Sequence, residues 1–327
     1  MFEFFAIAFG SSASWLLLRA LISLLRRRLL DEPNARSSHR QPTPRGGGIA
    51  FVGVACASSG IGLLSGQVLT ASALFLLVAP LAVVGLFDDR HNLPASWRFC
   101  FQLLNAVFIL GFSPLVQRFD PDVAYGGLLF LPVFVLLVIA VTSVINFSNF
   151  MDGLDGLVAG CMTVILAALA IVLDAPWPLW ALVGALIGFL VWNWSPAKVF
   201  MGDVGSTFLG AVFAGLVLQA TSWSEAFGCL LVATPLLGDA LFCVLRRFFA
   251  GQRVFQAHRL HLFQRLHQAG WSHARVSLTY IAATALLAVA MLAGGWPWVL
   301  GLSVAELLFG FWLDQRVALP FSVVSNS

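Results

Sequence analysis

Residues 145–157 read INFSNFMDGLDGL. The stretch starts inside an apolar run and leaves it through one amide, Asn149, and two carboxylates, Asp152 and Asp155. Upstream, 127–147 carries no charge and is long enough to cross a bilayer, which takes about 20 mostly apolar residues. Downstream, 157–173 is apolar again. The polar stretch is therefore a turn between two spans, placed where the chain leaves lipid for water. The rest of the chain obeys the same rule: of 327 residues, 60% are hydrophobic and 10% charged, against roughly 25% charged in soluble domains. A water-soluble fold could not hide that much apolar surface.

Working outward, the sequence reads as an all-α polytopic membrane protein, one transmembrane domain over 1–327. Eleven helices are expected, at about 2–24, 46–66, 68–87, 98–115, 127–147, 157–173, 177–193, 206–221, 225–245, 276–294 and 296–313. The first lacks a basic leader and a small-residue cleavage site, so it reads as a retained span. The five cysteines (Cys56, Cys100, Cys161, Cys229, Cys243) sit in apolar runs without CxxC spacing, which suits buried small hydrophobes better than disulfides.

Basic residues orient the spans. Sixteen of the eighteen fall in loops on one side, with Arg118 alone opposite and Arg19 inside the first helix. That side is the cytoplasm, so the N-terminus is periplasmic and the C-terminus cytoplasmic. The cytoplasmic loops are about 25–45, 88–97, 148–156, 194–205 and 246–275, and all six histidines lie there. Any chemistry belongs to this face.

Four further stretches share it. DEPNARSSHRQPTPRGGGIAF (31–51) is basic and rich in proline and glycine; alone it reads equally as a loop held by anionic lipid. GLFDDR (85–90) sets Asp88 beside Asp89, a pair that repels unless a cation is near. NWSPAKVFMGDVGSTFLG (193–210) puts Asp203 between glycines before Ser206, a turn that can offer a carboxylate and free backbone N–H groups. GQRVFQAHRLHLFQRLHQ (251–268), if helical, places His258, Arg259, His261 and Arg265 on one broad face, or lies in the interface as an amphipathic helix. In NFMDGLDG, the spacing of Asn149, Asp152 and Asp155 would put them on one face of a helical turn; capping is the plainer use of each acid. Hard carboxylate oxygens select Mg²⁺ or Mn²⁺ and arginines select phosphate. Zinc is the poorer expectation, since no thiolate accompanies these histidines and the carboxylates outnumber them on this face. Together these imply phosphoryl transfer from a soluble nucleotide to something held in the bilayer.

In this order, SSHRQPTPRGGG, GLFDDR, NFMDGLDG, NWSPAKVFMGDVGSTFLG and AHRLHLFQRL resemble the polyprenyl-phosphate N-acetylhexosamine-1-phosphate transferase family (MraY/WecA type, glycosyltransferase family 4), over residues 31–266. The resemblance implies transfer of a sugar-1-phosphate from a UDP-N-acetylhexosamine to undecaprenyl phosphate with release of UMP, supported by Mg²⁺, in the bacterial inner membrane. It implies catalytic roles for Asp88, Asp89 and Asp203, with Asp203, Asn149 and Asp89 toward the metal. Asn149, Asp152, Asp155, Asn193, Phe200, Arg40 and Thr43 fall at the nucleotide-sugar positions, and His258, Arg259 and His261 in the histidine loop. Asp239 is expected to line the cytoplasmic cavity and orient Arg246 or that loop. Membrane lipid surrounds the protein, a homodimer is compatible with the resemblance, and nucleic acid is not an expected partner. Phe263 and Gln264 stand where relatives tend to have histidine. With eleven spans rather than ten, this favours a surface-polysaccharide (O-antigen) initiating enzyme over a phospho-MurNAc-pentapeptide transferase. A nucleotide-sugar or ion transporter is the alternative of another class; it would place acids near the midplane with repeat symmetry, whereas most acids here cluster at one face.

Overall fold

The computed structural model describes residues 2–33, 41–66, 69–118, 129–252 and 258–325. Arg40 lies outside them. In chain order the elements are α1 (Phe2–Arg28), β1 (Leu30–Asp31), β2 (Thr43–Pro44), α2 (Ile49–Leu64), α3 (Leu69–His91), α4 (Ala95–Gly111), α5 (Pro114–Gln117), α6 (Phe130–Phe150), α7 (Leu157–Val172), α8 (Trp177–Asn193), α9 (Asp203–Val217), α10 (Trp223–Leu231), α11 (Thr234–Phe249), α12 (Leu262–Gln268), α13 (His273–Gly294), α14 (Trp296–Arg316) and α15 (Phe321–Ser325). β1 and β2 pair antiparallel, Leu30 opposite Pro44.

Among the described residues, four helices are long and apolar enough to cross a membrane: α1, α6, α13 and α14. The bent pair α10 and α11 makes a fifth if counted as one span, and α2, α4, α7, α8 and α9 are shorter apolar helices. The chain is thus an all-α, multi-pass membrane protein. Its packing is that of a bundle in lipid. α9 sits at the centre, with every residue from Val204 to Val217 buried. α3 and α6 pack on α9, α1 on α8, and α13 on α7. Outer helices turn large apolar residues outward, such as Leu131 and Leu136 of α6 and Leu308 and Phe311 of α14.

Several expected boundaries move for identifiable reasons. The helix expected at 225–245 is two helices meeting at 80°. Pro235 opens the second, lacking the N–H that would continue the first. The helix expected to reach 115 stops at Gly111; Ser113 then caps α5 through the Val116 N–H. α9 begins at Asp203 rather than at 206, so Asp203 and Ser206 share its first turn. The histidine loop is not one helix: His258 and Arg259 precede α12, His261 is its N-cap, and only Arg265 of the four is helical.

One end of the bundle gathers the C-termini of α3, α6, α8 and α11 with the N-termini of α4, α7, α9 and α13. Close approach there depends on small residues. A Cβ at Gly85 would lie 2.6 Å from the Asp203 carbonyl carbon, so α3 can cross α9 this tightly only without a side chain. Gly202 has φ +76°, the left-handed region that glycine enters without steric cost, and it turns the chain into α9.

Candidate functional site at the mouth of an apolar cavity

The adjacent aspartates of α3 point to different tasks. Asp89 is buried, and its two oxygens accept the Asp203 N–H (3.0 Å) and the Val204 N–H (3.2 Å) that open α9. Arg45 lies 4.0 Å from the same carboxylate and donates to the Asp89 carbonyl. A carboxylate at a helix N-terminus satisfies orphan donors and meets the positive end of the dipole. Asp89 therefore braces α9, and the free N–H groups expected in GDVGS are occupied: the Gly205 and Ser206 N–H groups bond the Gly202 carbonyl.

Asp88 faces the cavity. Its Oδ1 accepts the Leu93 N–H (2.6 Å) and its Oδ2 accepts Arg98 Nη1 (2.9 Å). The same Arg98 nitrogen reaches Asp203 Oδ2 at 3.4 Å. Asn149, at the end of α6, donates to Asp203 Oδ1 and to Ser206 Oγ, both at 2.9 Å. Asp88, Asn149, Asp203 and Arg98 thus converge from four helices. They line a cavity of about 760 Å³ together with His258, His261 and Gln264. Its other walls carry Leu81, Val84, Phe99, Leu103 and Ile139 from α3, α4 and α6.

Asn149, Asp152 and Asp155 do not share a face, because α6 ends at Phe150 and the chain turns before Gly156. Burial, then the charges of Asp89 and Asp155, push the Asp152 carboxyl up to about 7. Asp155 looks the other way: its Oδ2 accepts the Ala197 N–H (3.1 Å) and lies 3.1 Å from His273 Nδ1. Burial would raise it, but the hydrogen bond and charge of His273 hold it below the usual carboxylate range. Asn193 accepts the Gly156 N–H and donates to the Val199 carbonyl, both at 3.0 Å. Phe200 pairs through its backbone with Pro44 and Gly47, and Thr43 donates to the Gln41 carbonyl. These residues bond to one another's segments and are not among those that line the cavity.

Asp239 lies under the histidine loop rather than on the cavity wall. It accepts the Leu262 N–H (2.8 Å), the Phe263 N–H (3.1 Å) and the Tyr280 hydroxyl (2.7 Å), with His261 Nδ1 at 3.7 Å. It anchors that loop. It does not orient Arg246, which pairs with Asp314 at 3.0 Å. Asp314 also binds Arg265, whose guanidinium donates to the Leu260 and Leu319 carbonyls. The Arg259 carbonyl accepts from Gln268. His258 is held well below its ordinary value, at about 3, by burial and by the charges of His261 and Arg247, so it is a neutral imidazole. Cys243 of α11 lies beside these histidines in space, a neighbour that their separation in sequence conceals.

Arg98, Gln102 and Asn146 line the same cavity, though no motif in the sequence singles them out. The signal was there. Arg98, Gln102 and Asn105 recur at i, i+4 and i+7 in α4, and Thr142, Asn146 and Asn149 do so in α6, one helical face each. The two stripes meet where Asn146 donates to Gln102 at 2.7 Å.

The donor set suits a hard divalent cation: two carboxylates and an amide oxygen, with one guanidinium among them. Fold and site define an integral membrane protein that sets an acidic cluster in the wall of a largely apolar cavity. Residues 71–221 match the family described as glycosyl transferase family 4. The chain is 31% identical to a probable undecaprenyl-phosphate N-acetylglucosaminyl 1-phosphate transferase of Bacillus subtilis, covering 77% of this chain and 73% of that one. It is 33% identical to a phospho-N-acetylmuramoyl-pentapeptide-transferase of Desulforudis audaxviator (82% and 89% covered). It is also 33% identical to a decaprenyl-phosphate N-acetylglucosaminephosphotransferase of Mycobacterium leprae (79% and 75%). The chain belongs to the polyprenyl-phosphate N-acetylhexosamine-1-phosphate transferase family.

Proposed function

We propose that the protein transfers an N-acetylated hexosamine-1-phosphate from a UDP-sugar to undecaprenyl phosphate, releasing UMP, at the cytoplasmic face of a bacterial inner membrane. The observation that carries this is the convergence of Asp88, Asn149, Asp203 and Arg98 at the polar mouth of a cavity walled by α3, α4 and α6. An isoprenoid chain fits the apolar wall and its phosphate meets Arg98. A lipid oxygen attacks the β-phosphorus, the bond to the UMP oxygen breaks, and UMP departs. The attacking phosphate is largely dianionic near neutral pH, so charge repulsion rather than deprotonation is the main obstacle. Asp88, Asn149 and Asp203 would hold Mg²⁺, or Mn²⁺, which supplies Lewis-acid neutralisation of the phosphates. Arg98 holds the lipid phosphate, and Asp89 keeps Asp203 in place through its backbone. Asp152, Asn193, Phe200, Thr43 and Arg40 belong to the nucleotide-sugar side, with Asp155 bracing that side from behind.

We place this end of the bundle in the cytoplasm on the strength of the arginine bias, reading eleven crossings with α3 included and α10 and α11 counted as one. Within the family we favour the O-antigen type. Phe263 is buried and Gln264 lines the cavity while accepting the His261 N–H, so neither offers the imidazole expected of the peptidoglycan branch. Phospho-MurNAc-pentapeptide transfer is the second reading, favoured by the relatives so named. Purified protein with Mg²⁺, undecaprenyl phosphate and radiolabelled UDP-sugars decides. Label in the lipid fraction from a UDP-N-acetylhexosamine is expected; label only from UDP-MurNAc-pentapeptide selects the second reading, and none from either overturns both.

A further inference from the structure

Behind the histidine wall of the cavity lies a donor set that the proposed reaction does not use. Cys243 of α11, His258 and His261 each present one ligand atom, and all three atoms lie within 4.8 Å of one another. Cys243 is 3% exposed and packs with Leu260 and Phe321, so its sulfur is turned to the loop. The two imidazoles stack with centroids 5.0 Å apart. His261 is 2% exposed, and its Nδ1 is buried without a hydrogen-bond partner. A buried ring nitrogen left unpaired is costly; here it faces the Asp239 carboxylate 3.7 Å away.

We propose that Cys243, His258 and His261 form a site for a borderline divalent cation of the zinc class, distinct from the oxygen-lined cluster around Asp203, and that filling it inhibits the protein. One thiolate and two imidazoles select such a cation over Mg²⁺. Metal–sulfur and metal–nitrogen bonds of about 2.3 and 2.0–2.1 Å place tetrahedral ligand atoms roughly 3.3–3.6 Å apart, so the trio closes by about an ångström. The non-helical segment before α12 can make that movement; the contact that yields is the Leu260 N–H on His258 Nδ1, at 3.2 Å. Asp239 provides the outer carboxylate that metal-bound histidines characteristically have. Binding releases the thiol proton to water. The thiolate and Asp239 then balance the dication, while Arg246 and Arg265 are paired with Asp314. Because His258 and His261 line the cavity beside Asp88, Asn149 and Asp203, drawing them onto a metal reshapes the wall against which substrate must fit.

The test is Co²⁺ titration of the full-length protein in detergent with Mg²⁺ in excess. One equivalent should give a thiolate-to-Co²⁺ charge-transfer band that Zn²⁺ abolishes. Cys243→Ala should lose the band, and His258→Gln should weaken Co²⁺ affinity by at least about 10-fold. Zn²⁺ should inhibit transfer by the wild type, and Cys243→Ala, with unchanged basal turnover, should need at least about 10-fold more. No band in monodisperse wild type, or an unchanged band in Cys243→Ala, overturns the site. A site that fills while turnover is unaffected overturns its inhibitory role. That activity arm alone rests on the transferase reading; the spectral arm stands if no UDP-sugar is turned over.

Discussion

Adjacent aspartates with opposite duties make a sharp comparison: Asp88→Asn against Asp89→Asn. Each variant keeps one acceptor oxygen and replaces the other with an NH₂ group. At Asp89 both oxygens face backbone N–H groups at the start of α9. The new amide therefore sets a donor against a donor, at a side chain 3% exposed. A lost hydrogen bond to a charged group is worth about 1.5–3 kcal/mol, and the lost charge at a helix N-terminus about 0.3–1 kcal/mol more. Asp89→Asn should cost about 2–4 kcal/mol. At Asp88 the retained oxygen keeps the Leu93 N–H, and the replaced one faces Arg98, whose side chain is 40% exposed and free to swing. An ion pair that open to solvent is worth about 0–1 kcal/mol. Asp88→Asn should therefore melt within a few degrees of wild type while losing about 10²-fold or more in turnover. Asp89→Asn should melt clearly lower and lose turnover as a consequence. Thermal unfolding by fluorescence-detected size exclusion, beside a radiolabel transfer assay on the same preparations, reads both. Equal melting losses in the two variants, or an unshifted Asp89→Asn, would refute this division of labour.

Other outcomes follow from the same contacts. Asp152 titrates at about 7 in the fold against 3.8 for the free group, so the folded state holds a proton that the unfolded chain has lost between these values. Stability should fall as pH rises across that window, and Asp152→Asn should flatten the melting-point profile; an identical profile sinks the assignment. Arg246→Ala and Asp314→Asn should be strongly non-additive in stability, whereas Arg246→Ala and Asp239→Asn should add, since Arg246 bonds Asp314 and not Asp239; a coupled Arg246–Asp239 cycle reverses this. With the exposed native Cys100 replaced, a cysteine introduced at Asp152 should resist an impermeant thiol reagent in intact cells and one introduced at Asp174 should react. The opposite labelling inverts the topology.

The fold was legible because lipid imposes one rule on every span: apolar throughout, polar only where the chain leaves the bilayer. Asn149, Asp203 and Asp88 could be placed together since each ends or begins an apolar run on the same side. Side-chain direction was not legible. Asp88 and Asp89 are neighbours in sequence, and only the crossing of α3 over α9, permitted by Gly85, decides which one caps and which faces the cavity. Asp155 stands in the same motif as Asn149 yet turns away, because the chain bends after Phe150. The break at Pro235 was written in the sequence but masked by the apolar residues on both sides. Cys243 gave no sign of its partners: its place beside His258 and His261 is a tertiary neighbourhood that no periodicity encodes.

The charge balance at the cavity mouth leads to one more expectation. Asp88 and Asp203 share a single guanidinium, Arg98, at 2.9 and 3.4 Å. Without a divalent cation the cluster has one positive group against two carboxylates, and a phosphate dianion approaching it meets repulsion. Binding of cation and phosphate is therefore linked, and the linkage is reciprocal. Removing one carboxylate brings that local balance from net negative to neutral before phosphate arrives, and frees Arg98 from half of its partners. Asp203→Asn should then bind a short-chain polyprenyl phosphate in EDTA more tightly than wild type does, even though its turnover falls by about 10²-fold or more. The Asn149 amide still has Ser206 to donate to, so the wall holds its shape. Equilibrium binding in nanodiscs, with and without Mg²⁺, measures this directly. A variant whose lipid binding depends on Mg²⁺ as steeply as wild type would show that Asp203 does not contribute to the repulsion, and that the cation is held elsewhere.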